Sequence, residues 1–583
     1  MFRHVSKIAL KYTTSIFSQP QEQQQQQNIS DMNSIELVEL KKGLDAIFND
    51  QLEEAERIFL TNKDHQPFHA FGYALLAYVK AILSMESDQI DEAIRSIEIA
   101  TKLLLSPTHS SIHFELLTAH CILLSSSLQF LKDSWIDNLK AAYEIRKAYK
   151  LYEHLFEIIL GVPVSAYNNC MNGDASVNVL ENGIYFGIGI FCLIFSLLPS
   201  KVAKVLNSLG FRLPKSLSIH LLKESCESKT MYAPLSSLAL VYYYVNVCMY
   251  LRPETGQLLT AQYIRESLER LKSIYPNNQM WSLLEAKLTK QPSNLQDCLH
   301  LLNSSKKTLQ CTDQDEGGPI ILSLADYSLF RLFALSEVGW IHIFSGDYNR
   351  ATESFFCLES MSNWSHLFYH FVATCCMIAD GLYDKAAREV QQLVHMFEIK
   401  KKHDSHSRFS AGEFYAEAKI SQWNKYSKTY DMFLRSVLDE LIINPLWELV
   451  YLWNGVSYWS EPVLNSIKQQ LIYTIESQDE HKRPFALLLM GVIYRDRLKD
   501  VQQAHSYFNR VINEFRNDWT VPYAMYEIAF TYSVSPIEQQ DKKTLVMDWI
   551  KRAENYYVQT KYDPEWRLCM KMKCQLLLEL FEE

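Results

Sequence analysis

The sequence predicts an all-α protein, a superhelical array of helix–turn–helix units with an irregular helical middle. Three observations carry this. Helix breakers are scarce: 17 glycines and 17 prolines in 583 residues, each about 3% against the usual roughly 7% and 5%. Hydrophobic residues make up 48% of the chain, enough for a large core, and strong helix formers dominate. A helical pattern also recurs with a period near 34 residues, with small residues where two helices must cross closely.

The repeats come first. In "KKGLDAIFNDQLEEAERIF", Gly43 lies where a first helix approaches a second, and Ala55 and Phe59 follow four apart. "AILSMESDQIDEAIRSIEIA" places Ala81, Ala93, Ile97 and Ala100 in the same way. "EVGWIHIFSGDYNRATESFF" is the clearest copy, with Gly339, Ala351 and Phe355. The next unit supplies Thr374, Ala386 and Val390, and Ala351 to Ala386 is 35 residues. Gly491, Ala504 and Phe508 repeat the pattern with one extra loop residue, and a last helical pair lies in "YAMYEIAFTYS" and "LVMDWIKRAENYY". This is the tetratricopeptide-repeat pattern, so the predicted fold is a closed tetratricopeptide-repeat superhelix.

Domain organisation follows from where the period holds. Residues 1–32 read as a disordered Gln-rich tail, 33–106 as N-terminal repeats, 107–323 as an irregular helical region and 324–583 as C-terminal repeats. Two stretches that read as loops interrupt the middle, residues 161–183 and the turn-rich "CTDQDEGGP" at 311–319. The first twenty residues carry Arg3, Lys7 and Lys11 at four-residue spacing and no acid. On a helix these cations share one face, which reads either as an organelle-targeting or membrane-surface segment or as an accident of a disordered tail.

Composition excludes more chemistry than it suggests. The formal net charge is −10, so no general field draws nucleic acid, and the basic stretch Lys400–Arg408 reads as a solvated loop. Twelve cysteines lack metal-type spacing and read as buried thiols in a reducing compartment. His109 and His113 stand at i, i+4 with no carboxylate between them, which is a weak zinc signal. No P-loop, GxSxG or HExxH motif occurs. The aromatic run Val241–Tyr250 reads as a core face. We therefore expect no enzyme activity, no cofactor and no metal.

One stretch, Gly183–Pro199, has seventeen residues and no charge. As a helix it would span about 25 Å against a hydrocarbon core of about 30 Å. Its Gly183 and Gly187 form a GxxxG, suited to a membrane dimer or to any tight crossing in water. The wider stretch "GIGIFCLIFSLLPSKVAKVLNSLGF", Gly187–Phe211, resembles a signature of the tetratricopeptide repeat 39 family, which includes the fungal inclusion-body-clearance proteins. The resemblance rests on Gly187, Gly189, Phe191, Leu193, Ser196, Leu197, Leu198, Pro199, Gly210 and Phe211. The family continues with G-D-R, where this chain has "RLPKS". Further matches are Trp340, Ala351 and Trp364, then Pro445, Glu448, Tyr451, Trp453 and Gly455, then the "VPYAMYEIA" segment. The resemblance covers about residues 35–580. It implies that Gly183–Pro199 is an interior helix of a non-enzymatic scaffold or adaptor. It also implies a role in lipid homeostasis or in clearance of misfolded protein.

The first helix of each repeat lines the groove of such an array, and here those positions are apolar. They are Leu75, Tyr78, Ile82 and Met85 in one repeat; Phe333, Trp340, Ile343 and Phe344 in another; and Phe368, Phe371, Cys375 and Ile378 in the next. A helix apolar all round is buried all round, so something apolar fills the groove. Three occupants are open: the middle helices including Gly187–Leu198, a partner helix or peptide, or a lipid-like ligand. We name Tyr78, Ile82, Trp340, Phe344, Phe368 and Phe371 as the candidate apolar groove. The expected partners are proteins or peptides, with lipid or membrane contact as a further option and no nucleic acid. The expected location is cytoplasmic, and the alternative is a mitochondrion- or membrane-associated protein.

Overall fold

Helical hairpins follow one another from end to end of the chain. The computed structural model describes residues 35–84, 86–106, 112–131, 135–167, 179–196, 215–248, 259–304, 331–361, 365–403, 410–441, 443–477, 479, 481–535 and 539–560, with parts of 570–578. The tail 1–32 with its basic segment, Met85, His109, the loop 311–319, Pro199–Phe211 and Trp364 lie outside them. Among the described residues there is no β-strand.

The N-terminal hairpins are α1 (Ile35–Phe48), α2 (Leu52–Leu60), α3 (Pro67–Ser84) and α4 (Ser87–Leu104). The small residues of the repeat pattern do what the sequence asks. Phe59 sits fully buried on α2, between Gly43 of α1 and Gly72 of α3. A methyl group added at either glycine would lie 2.5 Å from a ring carbon of Phe59. The same slot recurs between Gly339 and Phe355 and between Gly491 and Phe508. Ala55, Ala93, Ala351, Ala386 and Ala504 are all fully buried.

The middle of the chain contributes α5 (Ile112–Leu131), α6 (Trp135–Leu160), α7 (Val179–Ser196), α8 (Lys215–Glu227) and α9 (Ala233–Tyr243), the last running into a π-helical turn at Tyr244–Cys248. The uncharged stretch is α7. Its Gly183 faces Leu116 and Tyr232, its Gly187 faces Tyr152, and its Gly189 faces Leu222. The Ser218 hydroxyl donates to the Gly189 carbonyl at 2.6 Å. Three glycines thus admit side chains from four neighbouring helices, which explains a helix that is apolar on every side. α7 starts earlier than the sequence suggested: Val179–Gly183 is helical rather than loop, because Leu180 and Asn182 are fully buried and extend the packed face by a turn. In the aromatic run, Val241, Tyr243 and Val245 are buried while Tyr242 faces outward.

Three shorter helices follow, α10 (Ala261–Ile274), α11 (Gln279–Thr289) and α12 (Leu295–Ser304). Side-chain caps start α10 and α11: Thr260 accepts from the Tyr263 amide and Asn278 from the Met280 amide. The turn between α10 and α11 meets the first hairpin, 230 residues away in sequence. There the Tyr275 hydroxyl donates to Asp45 Oδ1 (2.6 Å), Asn278 Nδ2 donates to the Phe48 carbonyl (2.8 Å), and the Phe48 and Tyr275 rings stack at 5.3 Å. The helices from α1 to α11 are therefore closed by a contact between their first and last members.

The C-terminal array is α13 (Arg331–Ser345), α14 (Tyr348–Met361), α15 (His366–Ala379), α16 (Tyr383–His403), α17 (Ala411–Thr429), α18 (Pro445–Leu452), α19 (Glu461–Glu476), α20 (Arg483–Asp496), α21 (Val501–Glu514), α22 (Thr520–Val534) and α23 (Gln539–Thr560). Part of the basic stretch at Lys400 is helix rather than solvated loop. α16 runs to His403, and carboxylates of α17 hold Lys400 (Glu413, 2.9 Å) and Lys401 (Glu417, 2.5 Å). A capping box of Ser410 and Glu413 fixes the start of α17.

Among the described residues, buried side chains form three clusters. One spans Leu40 to Tyr232, a smaller one joins Phe48 to residues 193–288, and the largest runs from Leu283 to Leu577. Helices α11 and α12 thus feed the C-terminal core.

Candidate functional site

The six groove residues lie in two places. Tyr78 and Ile82 are half-buried on α3 and pack on the N-terminal core. There Tyr78 accepts a hydrogen bond from the Ser127 hydroxyl of α5 at 3.0 Å, and burial raises its phenol pKa. The other four belong to the C-terminal core, where α13 and α15 present Trp340, Phe344 and Phe368 to a segment that follows α18.

That segment is Trp453–Trp459. Asn454 turns it with a left-handed φ of 53°, and Gly455 lies so close to Phe344 that a methyl group there would come within 2.8 Å of the ring. Val456–Tyr458 then makes a 3-10 turn. The Ser460 amide donates to the Phe344 carbonyl (2.9 Å), and the Arg497 guanidinium donates to the Trp459 carbonyl. The rings form one wall. Trp453 stacks on Phe368 (5.2 Å) and on Trp340 (6.5 Å), Trp340 stacks on Phe344 (6.2 Å), and Phe344 meets Tyr458 (5.5 Å). Phe371 lies one layer deeper, fully buried and stacked on Trp423 at 5.7 Å. Trp453 keeps 39% of its surface exposed.

The residues over Trp340 and Phe368 are therefore the chain's own, but they are not the middle helices considered from sequence. α7 packs on α5, α6, α8 and α9 in the N-terminal core.

Sequence reasoning also missed the charges beneath this wall. Glu337 of α13 takes Lys290 and, at 3.8 Å, Lys287; the two ammonium groups hold its carboxyl below the ordinary range against the opposing effect of burial. Glu448 pairs with Lys419 at 2.8 Å and accepts from Tyr415 at 3.1 Å. Arg495 lies buried between Asp496 (2.8 Å) and Glu527 (2.5 Å), beside a hollow of about 20 Å³ lined also by Tyr451 and Phe530. Glu448 stands in the element that carries the family resemblance, but no motif announces its partner or the other pairs, which, apart from the adjacent Arg495 and Asp496, join different helices or a turn.

Little here is equipped for covalent chemistry. The described cysteines form no disulfide and are nearly all buried, and burial pushes Cys121 and Cys192 up to about 12 and Cys226 up to about 11. Only a thiolate attacks. Among the described residues no three His, Cys, Asp or Glu side chains gather as metal ligands. His113 is buried, and desolvation lowers its pKa.

A second hollow of about 570 Å³ lies where the turns of two C-terminal repeats meet α19. Its walls include Gly346, Gly381, Asp439, Trp447, Ser466 and Gln470. The only sequence trace of it is the four-residue spacing of Pro462, Ser466, Gln470 and Thr474 along α19.

Comparison with known proteins bears on the same regions. The family model for Iml2/Tetratricopeptide repeat protein 39 matches residues 41–497. An uncharacterized protein of Schizosaccharomyces pombe is 22% identical over 589 residues, covering 93% of each chain. The inclusion body clearance protein IML2 of the same yeast is 22% identical over 555 residues, covering 88% of this chain and 92% of its own. The matched span runs from the first hairpin through α7 and the Trp453 wall to the end of α20, and the chain belongs to the Iml2/Tetratricopeptide repeat protein 39 family.

Proposed function

We propose that the protein is a non-enzymatic adaptor that works through protein–protein contacts in the cytoplasm and serves the clearance of inclusion bodies. The observation that carries the contact surface is Trp453. It is a large aromatic residue, 39% exposed, held rigidly between Trp340 and Phe368 and edged by Tyr415 at 6.0 Å. Aromatic anchors fixed in a packed surround are the usual energetic centres of protein interfaces, and they lose little side-chain entropy on binding. The clearance role is supported by the name of the S. pombe relative.

The test is Trp453→Ala in cells lacking the endogenous protein. Proximity labelling should lose a defined set of neighbours, and inclusions of an aggregation-prone reporter should persist. An unchanged neighbour set with normal clearance would refute the adaptor reading. A change in neutral lipid stores with normal clearance would instead favour the lipid-homeostasis role. Recovery of the protein with mitochondria would favour the organelle alternative.

A further inference from the structure

One stretch of the C-terminal array is covered by the chain's own residues 570–578. The described residues of that segment are helical. Met570, Cys574 and Leu577 are buried in the C-terminal core. Lys573 is only 5% exposed, while Lys571 faces solvent. Positions 570, 573, 574 and 577 stand at i, i+3, i+4 and i+7, the spacing by which an amphipathic helix lays one face into a groove. Burial pushes the Cys574 thiol up to about 12, so it stays neutral and serves as a small apolar contact.

Lys573 identifies the surface beneath. Its ammonium donates to Asn454 Oδ1 at 3.0 Å and lies 5.9 Å from the Tyr451 ring and 5.7 Å from the Tyr526 ring. Tyr451 belongs to α18, Asn454 to the turn after it, and Tyr526 to α22. α22 is the first helix of its repeat, and first helices line the groove of such an array. Lys573 therefore reaches across the groove to a turn 119 residues earlier in the chain.

The surface around Lys573 is built for a cation. A buried ammonium is costly unless its surroundings are arranged for it. Tyr451, Asn454 and Tyr526 all line the 20 Å³ hollow beside Arg495. Of the charged groups lining that hollow, Asp496 and Glu527 are carboxylates and Arg495 is a guanidinium, which leaves one negative charge in excess. The Tyr451 hydroxyl donates to Glu527 at 2.8 Å and ties its ring to that charge. Two tyrosine faces within 6 Å add cation–π attraction.

We infer that this face, formed by α18, the Asn454 turn and α22, is a docking site for an amphipathic helix of the pattern apolar–x–x–Lys–apolar–x–x–apolar, and that segment 570–578 fills it in cis. A partner helix carries the same four anchors and must displace the segment, which competes from within the chain. The inference rests on the adaptor reading and states the chemistry of the partner.

The experiment uses the full-length protein and a synthetic fluorescent peptide of residues 567–583, kept reduced. Cys574→Glu with Leu577→Glu puts two charges into the buried face of the segment and should expel it. The peptide should bind this variant at least about tenfold more tightly than wild type, whose site is filled. A Lys573→Met peptide keeps the stem and loses the charge, and should bind the variant about tenfold more weakly than the parent peptide. A Lys571→Met peptide, altered on the exposed side, should bind as the parent does. Hydrogen–deuterium exchange should find α20 to α22 of the variant still protected. Four results would overturn the inference: no peptide binding by a variant whose α20 to α22 stay protected; equal binding by wild type and variant; equal binding by the Lys573→Met peptide; or loss of protection in α20 to α22, which would make the segment part of the fold instead of its ligand. Any of these alongside a Trp453→Ala variant that loses its neighbours would leave the adaptor reading standing. Peptide binding as expected beside a Trp453→Ala variant with no cellular effect would remove the adaptor reading alone.

Discussion

Gly187→Ala adds one methyl group to α7, and the structure says where it goes. The new carbon would lie 2.6 Å from Tyr152 Cζ, where ordinary contact begins at 3.4 Å. The ring must retreat by nearly 1 Å. It has little freedom to do so, because Tyr152 is fully buried and its hydroxyl shares a 2.5 Å hydrogen bond with His120 Nδ1. The His120 ring is in turn bounded by Phe186 (5.9 Å) and Tyr232 (5.6 Å). Overpacking of this kind costs about 1–3 kcal/mol. Because the protein has several cores, a local measurement is the right one: hydrogen–deuterium exchange read by mass spectrometry. Peptides from α6 and α7 should exchange roughly 5- to 150-fold faster, while α20 to α22 stay unchanged. The double variant Gly187→Ala with Tyr152→Leu should cost less than the sum of the two, with a coupling of about 0.5–3 kcal/mol, because leucine vacates the ring's space. If Gly187→Ala leaves exchange of α6 and α7 within twofold of wild type, the close crossing is not there.

Three further outcomes are expected. Burial pushes the His120 imidazole down to about 3 from an ordinary value near 6.5, so the folded protein keeps it neutral while the unfolded chain takes up a proton. The stability tied to this group is complete above about pH 6.5 and is lost as pH falls toward 3, by about 2 kcal/mol at pH 5; thermal melts from pH 7.5 to 5 should show a shallower decline in His120→Gln. Arg495→Met leaves Glu527 and Asp496 buried without their cation, which should destabilise the C-terminal core by about 3–5 kcal/mol; adding Glu527→Gln should recover part of that loss in tryptophan-monitored unfolding. α7 lies inside the N-terminal core against α5, α6, α8 and α9, so this segment should not hold the protein in a membrane pellet against alkaline carbonate. Retention in the pellet would contradict the interior placement of α7.

The repeat slots were legible because a close helix crossing leaves its mark locally. Gly43, Ala55 and Phe59 must stand at fixed spacing whatever surrounds them, and the buried Phe59 between two glycines follows from that requirement. The apolar groove was half legible. Trp340 and Phe368 declared that they would be covered, but hydrophobicity carries no record of which segment does the covering. That role falls to Trp453–Trp459, whose path depends on one left-handed residue, Asn454, and on contacts to Phe344 and Arg497. The hollow beside α19 was illegible for a related reason: its far wall is assembled from turns at Gly346, Gly381 and Asp439, which no periodicity links to α19. α7 shows both sides. Its lack of charge predicted burial, yet only the fold assigns its three glycines to four neighbouring helices.

The meeting of Asp45 and Phe48 with Tyr275 and Asn278 sets a schedule for the newborn chain. The two sides are separated by 230 residues. At a synthesis rate of about 5–20 residues per second, the first side waits roughly ten to fifty seconds for the second. Throughout that interval the Phe48 ring lacks its Tyr275 cover, while the hairpins behind it can already assemble their own core. A ribosome that stalls before residue 275 therefore holds a chain whose first hairpin is folded but open at one edge. Closure is the event that separates a finished N-terminal half from an unfinished one, and Phe48 is the residue that reports it.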